Sequence, residues 1–175
     1  GQPLYHALGF QVVGEVIRME CNRPTLLAES TPIDIEGIQE EDLLRISRFD
    51  RRQLRFDRSF LLQDFFQRAP SSAFKAVQEE KILGYCLGRA GSHFHHIGPL
   101  VAENEEIAQA LLVAAFRTTP LPLIIDVPAD KKNWLESLST KGFTVQRSFA
   151  RMCNGEQYFT RQSLHPYATA GPALG

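Results

Sequence analysis

"HFHHIGPLVAENEEIAQALLVAAFRT" occupies residues 93–118. Its first part, through Ala102, is rich in apolar residues and reads as a strand. Ile107, Leu111, Ala114 and Ala115 then recur at i, i+4, i+7 and i+8, the spacing of one helix face. Glu103, Glu105 and Glu106 fall between the two, where carboxylates favour a helix N-terminus. A strand therefore runs straight into a helix. Upstream, "AFKAVQEEKILGYCLGRAG" (73–91) reads as two strands about a charged turn at Glu79–Lys81, a hairpin. Downstream, "PLIIDVP" (122–128) is almost wholly apolar, as expected of a strand covered on both faces. "DKKNWLESLSTKG" (130–142) follows as a helix ended by Gly142, and "FTVQRSFARMCN" (143–154) as a strand.

The earlier part of the chain adds "IDIEGI" (33–38), which alternates like a half-buried strand, and two helices before Pro70. Leu43, Leu44, Ile46 and Phe49 mark the first helix; Phe60, Leu61, Asp64 and Phe65 mark the second. "LHPYATAGPALG" (164–175) closes the chain with a further strand. The order is strand, two helices, antiparallel strands, helix, strand, helix, strands, which predicts a mixed α/β layer fold. Neither GxGxxG nor GxxxxGK[ST] occurs, which argues against doubly wound nucleotide folds.

The bulk properties restrict the function classes. The chain has 175 residues, formal charge −1 and pI near 6.6, so no basic field points to nucleic acid. The apolar runs are too short for a bilayer span, and the opening residues do not read as a secretory signal. Cys21, Cys86 and Cys153 are odd in number and far apart, which argues against a disulfide framework or a zinc site and fits a reducing, cytoplasmic setting.

The chain also repeats itself. "LYHALGFQVVGEVIRM" (4–19) and "LSTKGFTVQRSFARM" (138–152) both run Gly-Phe, β-rich residues, Arg-Met. Gly9, Val12, Arg18 and Met19 recur as Gly142, Val145, Arg151 and Met152, each 133 positions later. "NRPTLLAESTP" (22–32) after the first copy has linker composition.

These segments together resemble the GNAT (GCN5-related N-acetyltransferase) superfamily. "KILGYCLGR", "IGPLVA", "EIAQALLVAAF", "LIIDVP", "NWLESLSTKGF" and "SFARM" take the family's places in order, over roughly residues 33–152. "LYHALGF" is the better copy of the family's closing "LYxxxGF". The resemblance implies a mostly antiparallel mixed sheet flanked by helices. It implies three parts: residues 1–22 as the end of an upstream GNAT domain, 23–32 as a linker, and 33–175 as a GNAT-like domain. It implies acetyl-CoA as co-substrate and a small-molecule amine as acceptor. The partner is the upstream domain of the same protein or a second copy, with no nucleic acid and no membrane. The alternative is a degenerate, non-catalytic module that supports a partner domain.

Residue by residue, the resemblance places Leu100, Val101 and Ala102 of the central strand against the cofactor. Glu105, Glu106, Ile107 and Ala108 open the cofactor helix, and Asn133 lies near the cofactor arm. Against the family's [QR]xxGx[GA] opening only Ala108 matches; Glu103 and Glu106 stand where Gln or Arg and Gly are usual. Tyr5 occupies the place of the family's thiolate-protonating tyrosine in the first copy, but Leu138 stands there in the second. His96 and Asp126, in adjacent predicted strands, are the candidate catalytic residues, because His titrates near neutral pH and apolar flanks shift a carboxyl or demand a partner for it. His93, His95 and His96 resemble a metal cluster on paper, but alternation separates His96 from the others, and no metal is expected. Arg45, Arg48, Arg52 and Arg55 form either a phosphate-binding stripe or a solvated face neutralised by Asp42, Asp50 and Asp57. Phe49, Phe56 and Arg58 are candidates for the acceptor side by analogy of fold.

Overall fold

The hairpin read from residues 73–91 forms as β3 (Phe74–Gln78) and β4 (Lys81–Ala90). Glu79 and Glu80 both take positive φ, which a two-residue turn between right-twisted strands requires. The computed structural model describes residues 2–25, 33–154 and 166–171; the rest of the predicted linker, 26–32, lies outside them. The elements before the hairpin are α1 (Gln2–Ala7), β1 (Gln11–Cys21), β2 (Asp34–Gly37), α2 (Leu43–Leu54) and α3 (Ser59–Arg68). Those after it are β5 (His95–Ala102), α4 (Glu105–Thr118), β6 (Leu123–Pro128), α5 (Lys132–Thr140), β7 (Thr144–Cys153) and β8 (Pro166–Ala168).

The eight strands among the described residues join one sheet, in the order β2-β3-β4-β5-β6-β1-β7, with β8 also paired to β5. Every pairing but β5–β6 is antiparallel. The mixed, mostly antiparallel sheet flanked by helices is the architecture expected from the sequence. One sheet face packs α4 and α5 through Leu111, Leu112, Trp134, Leu138 and Phe143. The other packs α2 and α3 through Ile46, Phe49, Leu62 and Phe65 against Tyr85 and Leu87. Each fully buried side chain of this size contributes about 1.5–3 kcal/mol. Leu44 and Phe60, expected in the helix stripes, face solvent instead; Leu62 takes the inward place on α3. Among the described residues, no helix is long and apolar enough to cross a membrane.

Helix α4 forms where the sequence says. Asn104 caps it, its Oδ1 accepting the Ile107 N–H at 3.0 Å, and Glu105 and Glu106 sit in the first turn. Two strands are placed by distant partners. β1 is a single strand set between β6 and β7. β8 is set beside β5 where β5 and β6 part.

Candidate functional site

β5 and β6 pair only over His95–Ile97 and Leu123–Ile125, then diverge. This splay, with the N-terminus of α4 behind it, is where the resemblance puts the cofactor. β8 fills it. Leu100 pairs with Ala168 and Val101 with Pro166. Across the gap the Thr169 N–H donates to the Asp126 carbonyl at 2.8 Å. Tyr167 is held by the Trp134 Nε1–H, which donates to its carbonyl at 3.0 Å, and by edge-on ring contact at 5.4 Å. Arg89 donates to the Ala170 carbonyl. Gly98 makes the seat possible: a Cβ there would stand 2.3 Å from the Thr169 carbonyl oxygen. Its φ of 145° also disfavours any other residue.

Leu100, Val101, Ala102, Ile107 and Ala108 are buried, the first two paired with a strand that belongs to the chain itself. Glu103 turns out to Lys81 at 2.9 Å, and Glu106 is exposed. Glu105 and the exposed Asn133 line an open cleft of about 360 Å³ with Asp130, Lys131, Lys132, Trp134 and Tyr167. The donor set therefore does not fit acetyl-CoA in this form. The backbone edge is spent on β8, Asn104 already satisfies one of the free N–H groups of α4, that of Ile107, and three carboxylates surround that helix start.

His96 and Asp126 do meet, with His96 Nε2 3.1 Å from Asp126 Oδ2. The sequence did not reveal their third partner. Arg18 of β1 grips Asp126 with two bonds, Nε to Oδ1 at 2.7 Å and Nη2 to Oδ2 at 2.8 Å. Burial alone would raise the Asp126 pKa, but Arg18 first and His96 second outweigh it and hold the pKa at about 2. Apolar flanks thus demand a partner rather than raise the carboxyl's pKa. Burial lowers the His96 pKa against the pull of Asp126, so the ring is neutral at pH 7. Its Nε2 then carries the proton toward the carboxylate, and buried Nδ1 is left an acceptor without a hydrogen-bond partner among the described residues. The repeated Arg-Met was the one sequence signal of Arg18. A basic hollow of about 530 Å³, lined by Arg18, His93, Gln146 and Arg147 among others, opens beside the cluster.

The remaining candidates separate. Among the described residues no group of three or more His, Cys, Asp or Glu side chains is placed to hold a metal. Phe49 is core, Phe56 is partly exposed, and Arg58 is buried, bonding Asp50 through Nε and Nη2, both at 2.9 Å, and Tyr85. The stripe arginines 45, 48, 52 and 55 face solvent. Two of their three expected neutralisers turn inward, Asp42 pairing with Lys75 at 2.6 Å and Asp50 with Arg58, while Asp57 stays exposed and accepts the Ser59 N–H at 2.9 Å. Tyr5 is half exposed on α1, whereas Leu138 is core.

Comparison with known proteins agrees with this frame. Residues 46–168 match the family model described as an acetyltransferase (GNAT) domain. The uncharacterized N-acetyltransferase YitH of Bacillus subtilis is 24% identical over 143 residues, 82% of this chain and 51% of that protein. The holothin acyltransferase of a Pseudoalteromonas species is 23% identical over 128 residues, 72% of this chain and 44% of that one. The chain thus spans about half the length of these curated relatives. A solved Pyrococcus horikoshii protein with a provisional acetyltransferase assignment superposes with a TM-score of 0.73 at 22% identity, covering 100% of this chain and 57% of that one. A GCN5-related N-acetyltransferase from Anabaena variabilis gives 0.61 at 14%, covering 86% and 42%.

Proposed function

The chain belongs to the acetyltransferase (GNAT) domain family, and from that premise we propose that its protein moves an acetyl group from acetyl-CoA to a small-molecule amine, with this unit as the supporting half. The relative named holothin acyltransferase supports acyl transfer as the chemistry. The observation that supports this reading is that β8 occupies the splay that a cofactor arm would need. Leu138 in place of a proton-donating tyrosine agrees. In this reading Arg18, Asp126 and His96 are positioning residues that lock β1 into the sheet. Chemistry belongs to a partner unit of the same fold.

The unpartnered Nδ1 of His96 supports a second reading. With β8 withdrawn, the splay would open to acetyl-CoA, and neutral His96 would offer Nδ1 to an ammonium proton. Asp126, held at a pKa of about 2, would orient the ring rather than act as base.

Calorimetric titration with acetyl-CoA separates the two readings. The supporting role expects no binding to the 175-residue chain at millimolar cofactor, and binding with free-thiol release in the full-length protein given an amine. Gly98→Ala, which pushes Thr169 out of its seat, is the second arm, with circular dichroism as the check on folding. Saturable binding that appears in this variant, or in the unaltered chain, would overturn the supporting role in favour of the withdrawn strand.

A further inference from the structure

We infer that the outer edge of β7 is the seat of a second unit of the same fold, the unit that ends in α1 and β1, and that the two share one continuous sheet. The warrant is the register between the repeated strands. Val16 pairs with Phe149, its own counterpart 133 positions on. Every other pair has its mirror image: Gln11 with Cys153 and Glu20 with Thr144; Val12 with Met152 and Met19 with Val145. Gly14 with Arg151 mirrors Arg18 with Arg147, and Glu15 with Ala150 mirrors Ile17 with Ser148. The two register shifts, at Val12/Gly14 and Arg18/Met19, are also mirror positions. The strands are therefore related by a local two-fold axis through Val16 and Phe149.

The axis extends to the turns. Phe10 N–H donates to the Tyr5 carbonyl at 3.0 Å, and Phe143 N–H to that of Leu138 at 3.1 Å. Gly9 and Gly142 take φ of 83° and 92°. The chain beyond each strand reaches the other copy's helix end: Thr25 N–H donates to the Lys141 carbonyl, and Asn154 Nδ2 to that of Leu8.

Only the environment breaks the symmetry. β1 pairs on its far side with β6 over Val16–Cys21, and Val16, Met19 and Cys21 are buried. Among the described residues β7 ends the sheet, and the counterparts Phe149 and Met152 are only half-buried. Leu4 and Tyr5 on α1 and Leu8 just after it are 65%, 48% and 59% exposed, an apolar face left uncovered by the described residues. Completing the axis lays the second unit's β6-equivalent strand along residues 149–154 and covers both patches with one body. A long bare edge is otherwise a template for pairing with other chains.

This inference shares a second unit with the proposed function but not its chemistry. Its test reads exchange, not activity, so either can fail alone. Glu15 accepts the Ala129 N–H on the β6 side, so by alternation the counterparts Ser148, Ala150 and Met152 face outward. Amide exchange is followed over residues 144–153 in the 175-residue chain and in the full-length protein. Roughly tenfold or greater slowing in the full-length protein is expected. Ala150→Pro removes an outward N–H and should cancel that slowing there while leaving the short chain's Tm within a few degrees. Phe149→Pro removes an N–H that faces β1 and should lower both melting temperatures. Equal exchange in the two proteins would overturn the inference. So would protection in the short chain with a dimer's mass, which assigns the edge to a second copy.

Discussion

In α5 and the turn after it, Leu138 and Phe143 are buried in the core; at the matching places α1 carries Tyr5, half exposed, and Phe10, partly covered. In the strands the contrast reverses: β1 lies inside the sheet and β7 at its edge. The hydrogen bonds of the two turns are nevertheless nearly the same. Helix, glycine turn and strand are thus a local unit, specified by its own backbone bonds. What differs is the surface laid against each copy, and burial rather than hydrogen bonding sets the energy at stake.

Leu138→Ala tests that most severely. It empties a buried site and should cost about 2–5 kcal/mol in urea unfolding, while Tyr5→Ala should cost less than about 0.5 kcal/mol in the 175-residue chain. A similar cost at the two sites would break the comparison. Arg18→Met comes next, because it strands a buried carboxylate, and about 3 kcal/mol is expected at pH 7. Its counterpart Arg151→Met should cost about 1 kcal/mol or less. The glycines follow. A Cβ on Gly142 would stand 2.6 Å from the Arg23 carbonyl oxygen, whereas on Gly9 the nearest atom is 3.8 Å away, in the Asn154 side chain. Gly142→Ala should therefore cost about 2–3 kcal/mol and Gly9→Ala about 1 kcal/mol, the difference being the collision.

Acid sharpens the Arg18 result. Asp126 titrates at about 2 in the folded protein, below the value near 3.9 of an unfolded chain. Its contribution, about 2 kcal/mol, is complete above pH 4 and lost as pH falls through 2. The folded pKa of His96 is also depressed, so its contribution is complete above pH 6.5 and lost as pH falls through the folded value. Stability should decline in two stages on acidification. In Arg18→Met the Asp126 carboxyl titrates at higher pH, so the gap between the variant and the parent should narrow as pH falls. A constant gap from pH 7 to pH 2 would remove Arg18 as the partner that matters.

The sequence made local structure legible and distant pairing much less so. The Glu79–Lys81 turn, the acidic start of α4 and the Gly142 stop are readable because each depends on a few neighbouring residues. β8 was expected only as a final strand, because three residues of it carry no pattern that names β5 as partner. Asp126 was identified as needing a partner, and His96 lay close by in the predicted sheet. Arg18 could not be found by spacing, since it comes from a strand 108 residues earlier. The helix stripes take in Leu44 and Phe60, which face solvent, because periodicity tolerates a neighbour that packing does not.

The insertion of β1 between β6 and β7 also governs when the sheet can close. β1 precedes the other described strands along the chain, and both of its partners lie more than a hundred residues downstream. Until β6 and β7 leave the ribosome, an eleven-residue strand with Ile17, Met19 and Cys21 waits unpaired. The β2–β5 meander and α4 have mostly sequential contacts and can assemble in that interval. Closure of the sheet is a separate, slower event, limited by the search of β1 for its slot, and the nascent chain is most vulnerable to aggregation and proteases during that wait.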